Sequence, residues 1–503
     1  MPASATPSRS RVGPRGGALI AVAAALAVCA PGMTRASLWF DEAAAISGAD
    51  RPLSEIWRLV HTWDAVHALY YALLHGWMRL FGDSVLSLRA LPLVGFCLAA
   101  AGLAVFANRS GRGLLFWATA VGALILLPRV ALSATQTRGD VFALASAMWA
   151  FVLLQTIMAQ PDDPSGRDRT VCQFRLWAGY GLLVVLGAHF GLLSLLGVPA
   201  QLLYVGLSGW RLRPMFVTVA VATVACLPLV ITGWQQRSQV AWIGDYSTMQ
   251  VLGQAAVAEL FAAQSLRGFL LITSALAGAV FYAVVLIALI AERTADWRFF
   301  WYTLVWYAFP TVLLVGLTLT IFPIYQPRYL IAMAPGACLL FAAGVTWLME
   351  RVRWGAVLAL LVIAALLAPG HVAMRWQSAR AGEDYLALAA LGRGADQVVY
   401  IVPESRGIGL AYPGLLSSAS DVLLADSPVA AGNLWGTNRP LDWWAPAGRV
   451  VVYAGGLTRA EDNGEIKGLP SEAASRLAEA RCLPTGQYQG GTRFQAAVFS
   501  CPA

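Results

Sequence analysis

Charged residues are scarce in this chain of 503 residues. Only 12% are Asp, Glu, Lys or Arg, and Lys467 is the only lysine, whereas 58% are hydrophobic and the mean hydropathy is +0.64. Soluble domains contain roughly 45–50% apolar and 25% charged residues, so this composition excludes an ordinary soluble domain and indicates a polytopic membrane protein. The formal net charge of +8 does not indicate a nucleic-acid partner, because the arginines are dispersed in short loops between apolar runs.

The sequence also lacks a glycine-rich phosphate loop next to a strand–helix unit. It therefore has no recognisable binding site for a nucleotide made in the cytoplasm. It shows neither internal repeats nor ionisable residues in the middle of a predicted span, features that secondary transporters tend to have. Asp140 lies near a span end, and Glu292 and Glu350 fall at predicted cytoplasmic termini. A transporter or flippase of a lipid-linked substrate is therefore kept as the alternative to an enzyme.

Apolar runs long enough to cross a hydrocarbon core of about 30 Å recur along the first three quarters of the chain. Eleven are counted, which predicts about 11 transmembrane helices. They lie near residues 17–34, 86–107, 113–129, 139–159, 175–189, 190–208, 215–234, 267–291, 299–321, 328–349 and 354–370.

The arginines predict the orientation of these spans, because short cytoplasmic loops are richer in Lys and Arg than outer loops. Eleven spans put arginines at the N-terminus and in every second loop, whereas ten spans would not. The N-terminus is therefore predicted to be cytoplasmic, and loops 35–85 and 235–266 and the C-terminal tail to be extracytoplasmic. The arginines concerned are Arg9, Arg11, Arg15, Arg109, Arg112, Arg167, Arg169, Arg175, Arg211, Arg213, Arg293, Arg298, Arg351 and Arg353.

Two alternatives to this topology remain open. Residues 1–36 combine a basic start, an apolar stretch and the small residues Thr34 and Ala36, which also fits a cleaved signal peptide. The segment 175–208 is punctuated only by His189 and by glycines 187 and 191, so it could form one span instead of two. A single span there would reverse the orientation of everything downstream.

The composition changes after the last span, and residues 376–503 are predicted to form a small extracytoplasmic α/β domain. Short apolar runs at 397–403, 421–425, 449–454 and 494–500 indicate strands, and 471–481 indicates a helix. Cys482 and Cys501 flank the last of these strands, in a compartment where a disulfide is permitted. A bridge between them is expected, with two unpaired thiols as the alternative.

The first outer loop, residues 35–85, carries the densest group of polar and aromatic residues. Asp41 and Glu42 follow directly after the first span. Carboxylates at a membrane surface are costly to desolvate, so those kept there usually belong to a substrate site. Residues 53–60 and 67–81 have helical spacing with apolar faces, typical of helices that lie in the membrane interface beside a lipid-borne substrate.

These residues carry a resemblance to a known family. The acidic pair Asp41-Glu42, the segment 66–71 (VHALYY), the segment 80–82 (LFG) and the segment 88–92 (LRALP) follow one another in the family's order. The chain resembles the membrane-embedded GT-C glycosyltransferases, in the branch of the protein O-mannosyltransferases and the lipid A aminoarabinose transferase. The wording of 64–71 is most similar to an actinobacterial subgroup, and weaker similarities lie at 138–140 and 325–330.

The resemblance implies a GT-C transmembrane domain over residues 1–375, followed by the α/β domain. It also implies an inverting transferase that takes a sugar from a polyprenyl-phosphate donor and passes it to an acceptor outside the cytoplasm. Mannose or an arabinose-like sugar and a cell-envelope glycolipid or polysaccharide are the expected substrates, with transfer to protein as the alternative. No nucleic acid is expected as a partner.

The resemblance also assigns roles to residues. Asp41 is expected to be the general base, and Glu42 to orient the acceptor or a partner arginine. Arg328, or as second candidate Arg138, is expected to bind the leaving phosphate, since a guanidinium binds phosphate oxygens in bidentate fashion. Further substrate contacts are expected from Asp64, His67, Tyr70, Asp140 and Tyr325.

Other interpretations of these residues stay open. Both arginines could be snorkelling interface residues, and the two aspartates could be loop caps or partners of Arg138. The chain departs from the family where its double proline is replaced at 66–68 and where Gln136 stands at an often acidic position, which also leaves room for a subunit with a decayed active site. No cofactor is predicted, although a divalent metal at the acidic pair with His61, His67 or His75 is conceivable.

Overall fold

The computed structural model describes residues 13–160, 167–262, 268–376, 382–459 and 466–502. The chain divides into two compact units. The helical unit contains Arg89–Ala373 and the residues up to Met33, and the sheet unit contains Thr34–Leu88 and Met374–Ala503. Outside the described residues lie Arg9 and Arg11 of the predicted cytoplasmic N-terminus and the side chains of Arg167 and Arg169.

Long apolar helices form the helical unit. In the described ranges, eight helices are long and apolar enough to cross a membrane, and three shorter apolar helices accompany them. Each of the predicted spans has one of these segments as its counterpart, so the polytopic α-helical fold is confirmed. The eight are Val85–Arg109, Asp140–Met158, Val171–Phe190, Leu212–Gln235, Gly268–Ala295, Trp297–Thr320, Pro327–Arg351 and Arg353–Trp376, and the three are Pro14–Cys29, Leu114–Leu126 and Leu192–Leu207.

The doubtful segment 175–208 is broken in two. The helix Arg167–Phe190 ends before Gly191, whose backbone is extended at φ −169° and ψ 99°. The chain resumes as the 3-10 turns Leu192–Gly197 and the helix Val198–Leu207. A side chain at Gly191 would lie 3.2 Å from the Ala143 Cβ atom, so a glycine suits this close approach.

Short elements connect the long helices and place polar residues between them. The helix Pro128–Ser133 precedes Asp140–Met158, and Pro327–Met333 is a 3-10 stretch that leads into Ala334–Arg351. Between Leu212–Gln235 and Gly268–Ala295 lie the elements Arg237–Asp245, Thr248–Gly253, Gln254–Ala258 and Glu259–Phe261. Gln254–Ala258 is a π-helix, a form that often marks functional sites.

The sheet unit contains a five-stranded mixed sheet in the order β2-β1-β3-β7-β6. β1 is parallel to β2 and β3, whereas β3, β7 and β6 are antiparallel, and β4 and β5 form a separate ribbon. Val399, Val452 and Ala497 are completely buried in its core. The strands are β1 Gln397–Tyr400, β2 Ser420–Asp421, β3 Gly448–Ala454, β4 Thr458–Arg459, β5 Ile466–Lys467, β6 Leu483–Gln489 and β7 Gln495–Cys501.

Most of the predicted strands are present, with two differences. The run 421–425 pairs only over Ser420–Asp421 before the chain turns away. β6 was not predicted, because Leu483–Gln489 is mostly polar, contains Gly486 and lies at the exposed edge of the sheet. The predicted helix is present as Ser471–Glu479. Two further helices, Gly407–Ala411 and Pro413–Leu416, lie between β1 and β2.

The first outer loop folds into three helices that belong to the sheet unit. These are Phe40–Ala49, here called the acidic helix, Leu53–Thr62 and Ala68–Phe81. Side chains of the first two helices, and of Arg51 between them, donate hydrogen bonds to backbone carbonyls of the segment 429–434. The pairs are Ser47 with Leu434 (2.6 Å), Arg51 with Asn433 (3.2 Å), Arg58 with Val429 (2.5 Å) and Thr62 with Gly432 (3.1 Å).

This grouping differs from the sequence-based division, which placed loop 35–85 with the transmembrane domain. The physical reason is that polar side chains of the loop find their acceptors in the segment 429–434. The aromatic ring of Phe40 also lies 5.1 Å from that of Trp435. Loop 34–88 and residues 374–503 are therefore one folding unit in the structure.

A disulfide joins Cys482 to Cys501, which are 19 residues apart. Cys482 precedes β6 and Cys501 ends β7, so the bridge closes the open end of this antiparallel pair. Because β6 is an edge strand with an irregular register between Pro484 and Tyr488, the bridge holds its start against β7.

We expect the double substitution Cys482→Ala/Cys501→Ala to lower the stability of the sheet unit by about 3 kcal/mol, the entropy of closing a loop of this size. Thermal unfolding of the full chain in detergent measures the effect. Thiol alkylation of denatured, unreduced protein should modify the five other cysteines, including the exposed Cys172, and leave this pair unmodified. Alkylation of Cys482 and Cys501 without reductant would contradict the bridge.

Candidate functional site

The acidic helix begins with the two carboxylates singled out in the sequence. Asp41 and Glu42 occupy its first turn, where the partial positive charge of a helix N-terminus favours anions. Asp41 is half-buried, whereas Glu42 is completely buried. Both have interaction partners in the structure. Asp41 is thus the more accessible of the two acids, as a proton acceptor for a substrate must be.

Residues from the C-terminal part of the chain fix the start of this helix. The Ser37 hydroxyl accepts a hydrogen bond from the Tyr385 backbone N–H (3.1 Å) and lies 3.3 Å from the Glu383 carbonyl oxygen. The Leu38 backbone N–H donates to the Tyr412 hydroxyl at 2.7 Å. The backbone immediately before Asp41 therefore has a set position within the sheet unit.

Glu383 brings a further carboxyl group close to Asp41, which sequence reasoning did not find. Glu383 is 6% exposed, and burial raises the pKa of its carboxyl to about 7. The positive charge of Arg493 lowers this pKa and the negative charge of Asp41 raises it, so all three groups interact electrostatically. No local pattern signals this contact, because Glu383 follows Asp41 by more than 300 residues in the sequence.

Asp64 lies in a tight turn between two helices of the first loop. Its φ of 61° is left-handed, a conformation that aspartate tolerates better than most residues. The Tyr71 hydroxyl donates to its Oδ2 atom, and the Nε2 atom of His67 lies 3.7 Å from Oδ1. Asp64 and His67 are thus brought together, and Asp64 is engaged by Tyr71, which the sequence did not single out. Tyr70 is buried at 1% exposure.

A glycine allows the helix Ala68–Phe81 to approach the acidic helix. A Cβ atom added at Gly48 would lie 2.7 Å from the Tyr71 ring. The His75 ring supports the same crossing, since its Nδ1 atom lies 3.0 Å from the Ala49 carbonyl oxygen. Gly48 follows Asp41 by about two helical turns, so the turn at Asp64 is anchored near the far end of the acidic helix.

The helical unit contains a second polar cluster, centred on Arg129. Arg328, Tyr325, Asp140 and Glu259 all lie close enough to the Arg129 guanidinium to interact with it electrostatically. Its Nε atom donates to the Ala258 carbonyl oxygen at 3.0 Å. The structure therefore gathers the predicted Asp140, Tyr325 and Arg328 around an arginine that the sequence analysis missed, because Arg129 looked like the end of an apolar span.

Arg138 belongs to the same cluster through Asp140. Its Nε atom lies 3.8 Å from the Asp140 Oδ2 atom, and both residues are 9% exposed. The alternative that Asp140 pairs with Arg138 thus agrees with the geometry. Arg138 is not a snorkelling interface arginine, because its side chain is buried.

Glu259 is the second acid of this cluster and was also missed. It is 2% exposed and accepts hydrogen bonds from the hydroxyls of Tyr325 (2.7 Å) and Thr311 (2.8 Å). Burial raises the pKa of its carboxyl to about 7, and these two hydrogen bonds and the Arg129 charge oppose the shift. Glu259 therefore holds its proton to a higher pH than an exposed glutamate does.

The histidines of the first loop have separate partners. The Nδ1 atom of His61 lies 2.7 Å from the Trp57 carbonyl oxygen, whereas His75 contacts Ala49 and His67 lies near Asp64. Among the residues that the structure describes, no group of three or more His, Cys, Asp or Glu side chains is arranged to hold a metal ion. The conceivable metal site at the acidic pair thus has no ligand cluster in these ranges.

The two clusters offer different chemistry. The sheet unit supplies a half-buried carboxylate at a helix N-terminus, next to a buried carboxyl group, which suits proton transfer. The helical unit supplies arginines in excess of acids, with a tyrosine beside them, which suits binding of an anion such as a phosphate.

Comparisons with known proteins identify the fold. ArnT from Cupriavidus metallidurans in the apo state has a TM-score of 0.56 and 12% identity, covering 96% of this chain and 98% of that chain. The same protein bound to undecaprenyl phosphate has a TM-score of 0.56 and 12% identity, with 95% and 97% covered. The apo oligosaccharyltransferase of Archaeoglobus fulgidus has a TM-score of 0.50 and 9% identity, with 81% and 64% covered. The chain therefore has the GT-C fold of these transferases.

No protein-family model and no curated protein matches the chain. The likeness to ArnT extends over both units, since it covers nearly the whole of each chain. At this low identity it establishes the fold, and the chemistry rests on the residues described above.

We expect Gly48→Ala to lower the thermal stability of the protein, by about 1–3 kcal/mol, because the new methyl group would overlap the Tyr71 ring. Gly76→Ala is the matched control: it lies in the helix Ala68–Phe81 with no atom within 4 Å of the added Cβ, and it should be neutral or stabilising by up to about 1 kcal/mol. Equal melting temperatures for the two variants would show that the crossing at Gly48 is loose.

Proposed function

We propose that this protein is a glycosyltransferase that moves a sugar from a polyprenyl-phosphate donor to an extracytoplasmic acceptor. The observation that carries the proposal is that one chain with a GT-C fold contains both a carboxylate base candidate, in the sheet unit, and an arginine-rich cluster, in the helical unit. One of the solved ArnT structures contains undecaprenyl phosphate, which supports the donor class.

The arginine cluster is the proposed phosphate site. Arg129 and Arg328 are half-buried, and they lie close enough for their positive charges to repel each other. A phosphate group relieves this repulsion and accepts hydrogen bonds from both guanidinium groups. In the transferase reaction the same groups stabilise the negative charge that develops on the leaving phosphate.

Asp41 is the proposed general base. It accepts the proton of the acceptor hydroxyl as that oxygen attacks the anomeric carbon, and the bond from this carbon to the phosphate oxygen breaks with its electron pair going to the phosphate. One base suffices, because a phosphate leaves without a proton donor, in contrast to the pair of carboxyl groups in glycoside hydrolases. Attack opposite to the phosphate inverts the anomeric centre.

The remaining assignments follow the sequence. Glu42 supports the acceptor side, and Asp64, His67, Tyr70, Asp140 and Tyr325 are proposed to contact sugar or acceptor. The favoured sugar is mannose or an arabinose-like sugar, and the favoured acceptor is a cell-envelope glycolipid or polysaccharide. We place the N-terminus in the cytoplasm and the sheet unit outside, because the arginine alternation requires it.

We expect Asp41→Asn to lower the rate of sugar transfer by about 10²–10⁴, because the amide keeps the size of the side chain but cannot accept the proton. Purified protein and a radiolabelled polyprenyl-phosphate sugar measure transfer, and donor binding should largely survive. The matched control is Asp50→Asn, an exposed aspartate at the other end of the same helix, which should transfer at the wild-type rate. Wild-type transfer by Asp41→Asn would exclude Asp41 as the base.

We expect Arg328→Lys to weaken donor binding and transfer by about tenfold or more, since lysine keeps the charge but loses the bidentate fork. Arg129→Lys should act in the same direction. Arg351→Lys is the control, because Arg351 is exposed at the end of its helix. Titration with polyprenyl phosphate gives the dissociation constants, and unchanged constants for both cluster variants would place the phosphate elsewhere.

A further inference from the structure

Asp41 has a buried carboxyl neighbour, Glu383. Glu383 lies beside Gly382, and the Thr492 backbone N–H donates to the Gly382 carbonyl oxygen at 3.3 Å. This contact brings Arg493 next to Glu383. The Arg493 guanidinium carbon also lies 3.9 Å from the centre of the Phe40 ring, directly before Asp41.

The groups that face Glu383 come from three elements. The acidic helix contributes Asp41 and the Phe40 backbone, the helix Tyr385–Leu391 contributes the Tyr385 hydroxyl, and the segment before β7 contributes Arg493. The Glu383 Oε2 atom and the Tyr385 hydroxyl are buried, and neither forms a hydrogen bond of normal geometry with a described residue. Burial disfavours the ionised carboxylate here more than the Arg493 charge, the Tyr385 hydroxyl and the Phe40 backbone favour it.

Two nearby carboxyl groups do not ionise independently. The first proton leaves the group whose anion is better solvated, and the second is held more tightly because of the charge already present. Asp41 is half-buried at a helix N-terminus, whereas Glu383 is only 6% exposed. Asp41 therefore loses its proton first, and Glu383 keeps the remaining one.

We propose that Glu383 is a positioning residue of the proposed transferase. Glu383 keeps the one proton that the two carboxyl groups hold, and this leaves Asp41 ionised. This inference rests on the proposed function, because it assumes that Asp41 is the base. When the shared proton leaves, the negative charge of Glu383 makes Asp41 a stronger base, so transfer should increase as the pair loses its second proton.

The pH profile of kcat/KM tests the proposal in the full-length protein with a polyprenyl-phosphate sugar. Wild-type protein should show an inflection near pH 7, with a rate increase of several-fold above it, in accord with the pKa of about 7 for Glu383. Glu383→Gln should remove this inflection while transfer persists at low pH. Arg493→Gln, a change at an exposed residue, should move it to higher pH, because the pair loses a stabilising positive charge.

Glu259→Gln distinguishes the two buried acids, because the pKa of Glu259 is also raised to about 7. The proposal is overturned if Glu383→Gln keeps the wild-type pH profile. It is also overturned if the inflection is lost in Glu259→Gln and not in Glu383→Gln. The proposed function would stand in both cases, provided that Asp41→Asn lowers transfer by about 10²–10⁴ as expected.

A second measurement needs no turnover. Glu383 binds its proton more tightly in the folded protein than in the unfolded chain. The stabilisation that this gives is therefore lost as the pH rises from about 4.5 to about 7, and no further loss from Glu383 is expected above pH 7. Asp41→Asn removes a neighbouring negative charge and should shift the midpoint of this loss to lower pH, while Asp50→Asn should not. Melting temperatures between pH 4.5 and 9 measure it, and an unshifted midpoint in Asp41→Asn overturns the coupling even if the protein transfers no sugar.

Discussion

The Ser37 hydroxyl joins two stretches of chain that are about two thirds of the length of the protein apart. It accepts from the Tyr385 N–H and lies against the Glu383 carbonyl oxygen, 346 residues away in sequence. The acidic helix begins three residues later, so the direction in which Asp41 points depends on this small contact. Everything proposed for Asp41, from its accessibility to its carboxyl neighbour, requires that the start of this helix be held by the C-terminal residues.

The two polar clusters deal with the cost of buried charge in opposite ways. In the sheet unit, Glu383 is buried with one exposed arginine nearby, so the carboxyl group retains its proton to a higher pH than usual. In the helical unit, Arg129 and Arg328 lie close together with the acids Asp140 and Glu259 beside Arg129, and burial raises the pKa of Glu259 to about 7. The first arrangement keeps a proton on a buried carboxyl group, and the second gathers guanidinium groups that can bind an anion.

The sequence was sufficient to predict the apolar helices, because membrane-spanning segments are set by local composition and length. It also singled out Asp41, Arg328 and the polar residues between them as candidates, since short motifs carry those. It could not predict Glu383 or Arg493 beside Asp41, nor Arg129 and Glu259 beside Tyr325, because these contacts join distant segments and have no periodic signature. The polar edge strand β6 was missed for a related reason: its pairing with β7, and not its own residues, makes it a strand.

The hydrogen bonds between the first outer loop and the segment 429–434 are chemically one-sided. Ser47, Arg51, Arg58 and Thr62 use their side chains, whereas their four acceptors are all backbone carbonyls. A carbonyl oxygen is supplied by any residue, so these four contacts constrain the path of the backbone at 429–434 and not the side chains there. For these hydrogen bonds, substitutions on the side of the first outer loop remove a donor, whereas substitutions in the segment 429–434 leave the acceptor in place. Solvent-facing side chains of this segment can therefore change without loss of the contacts that hold the acidic helix.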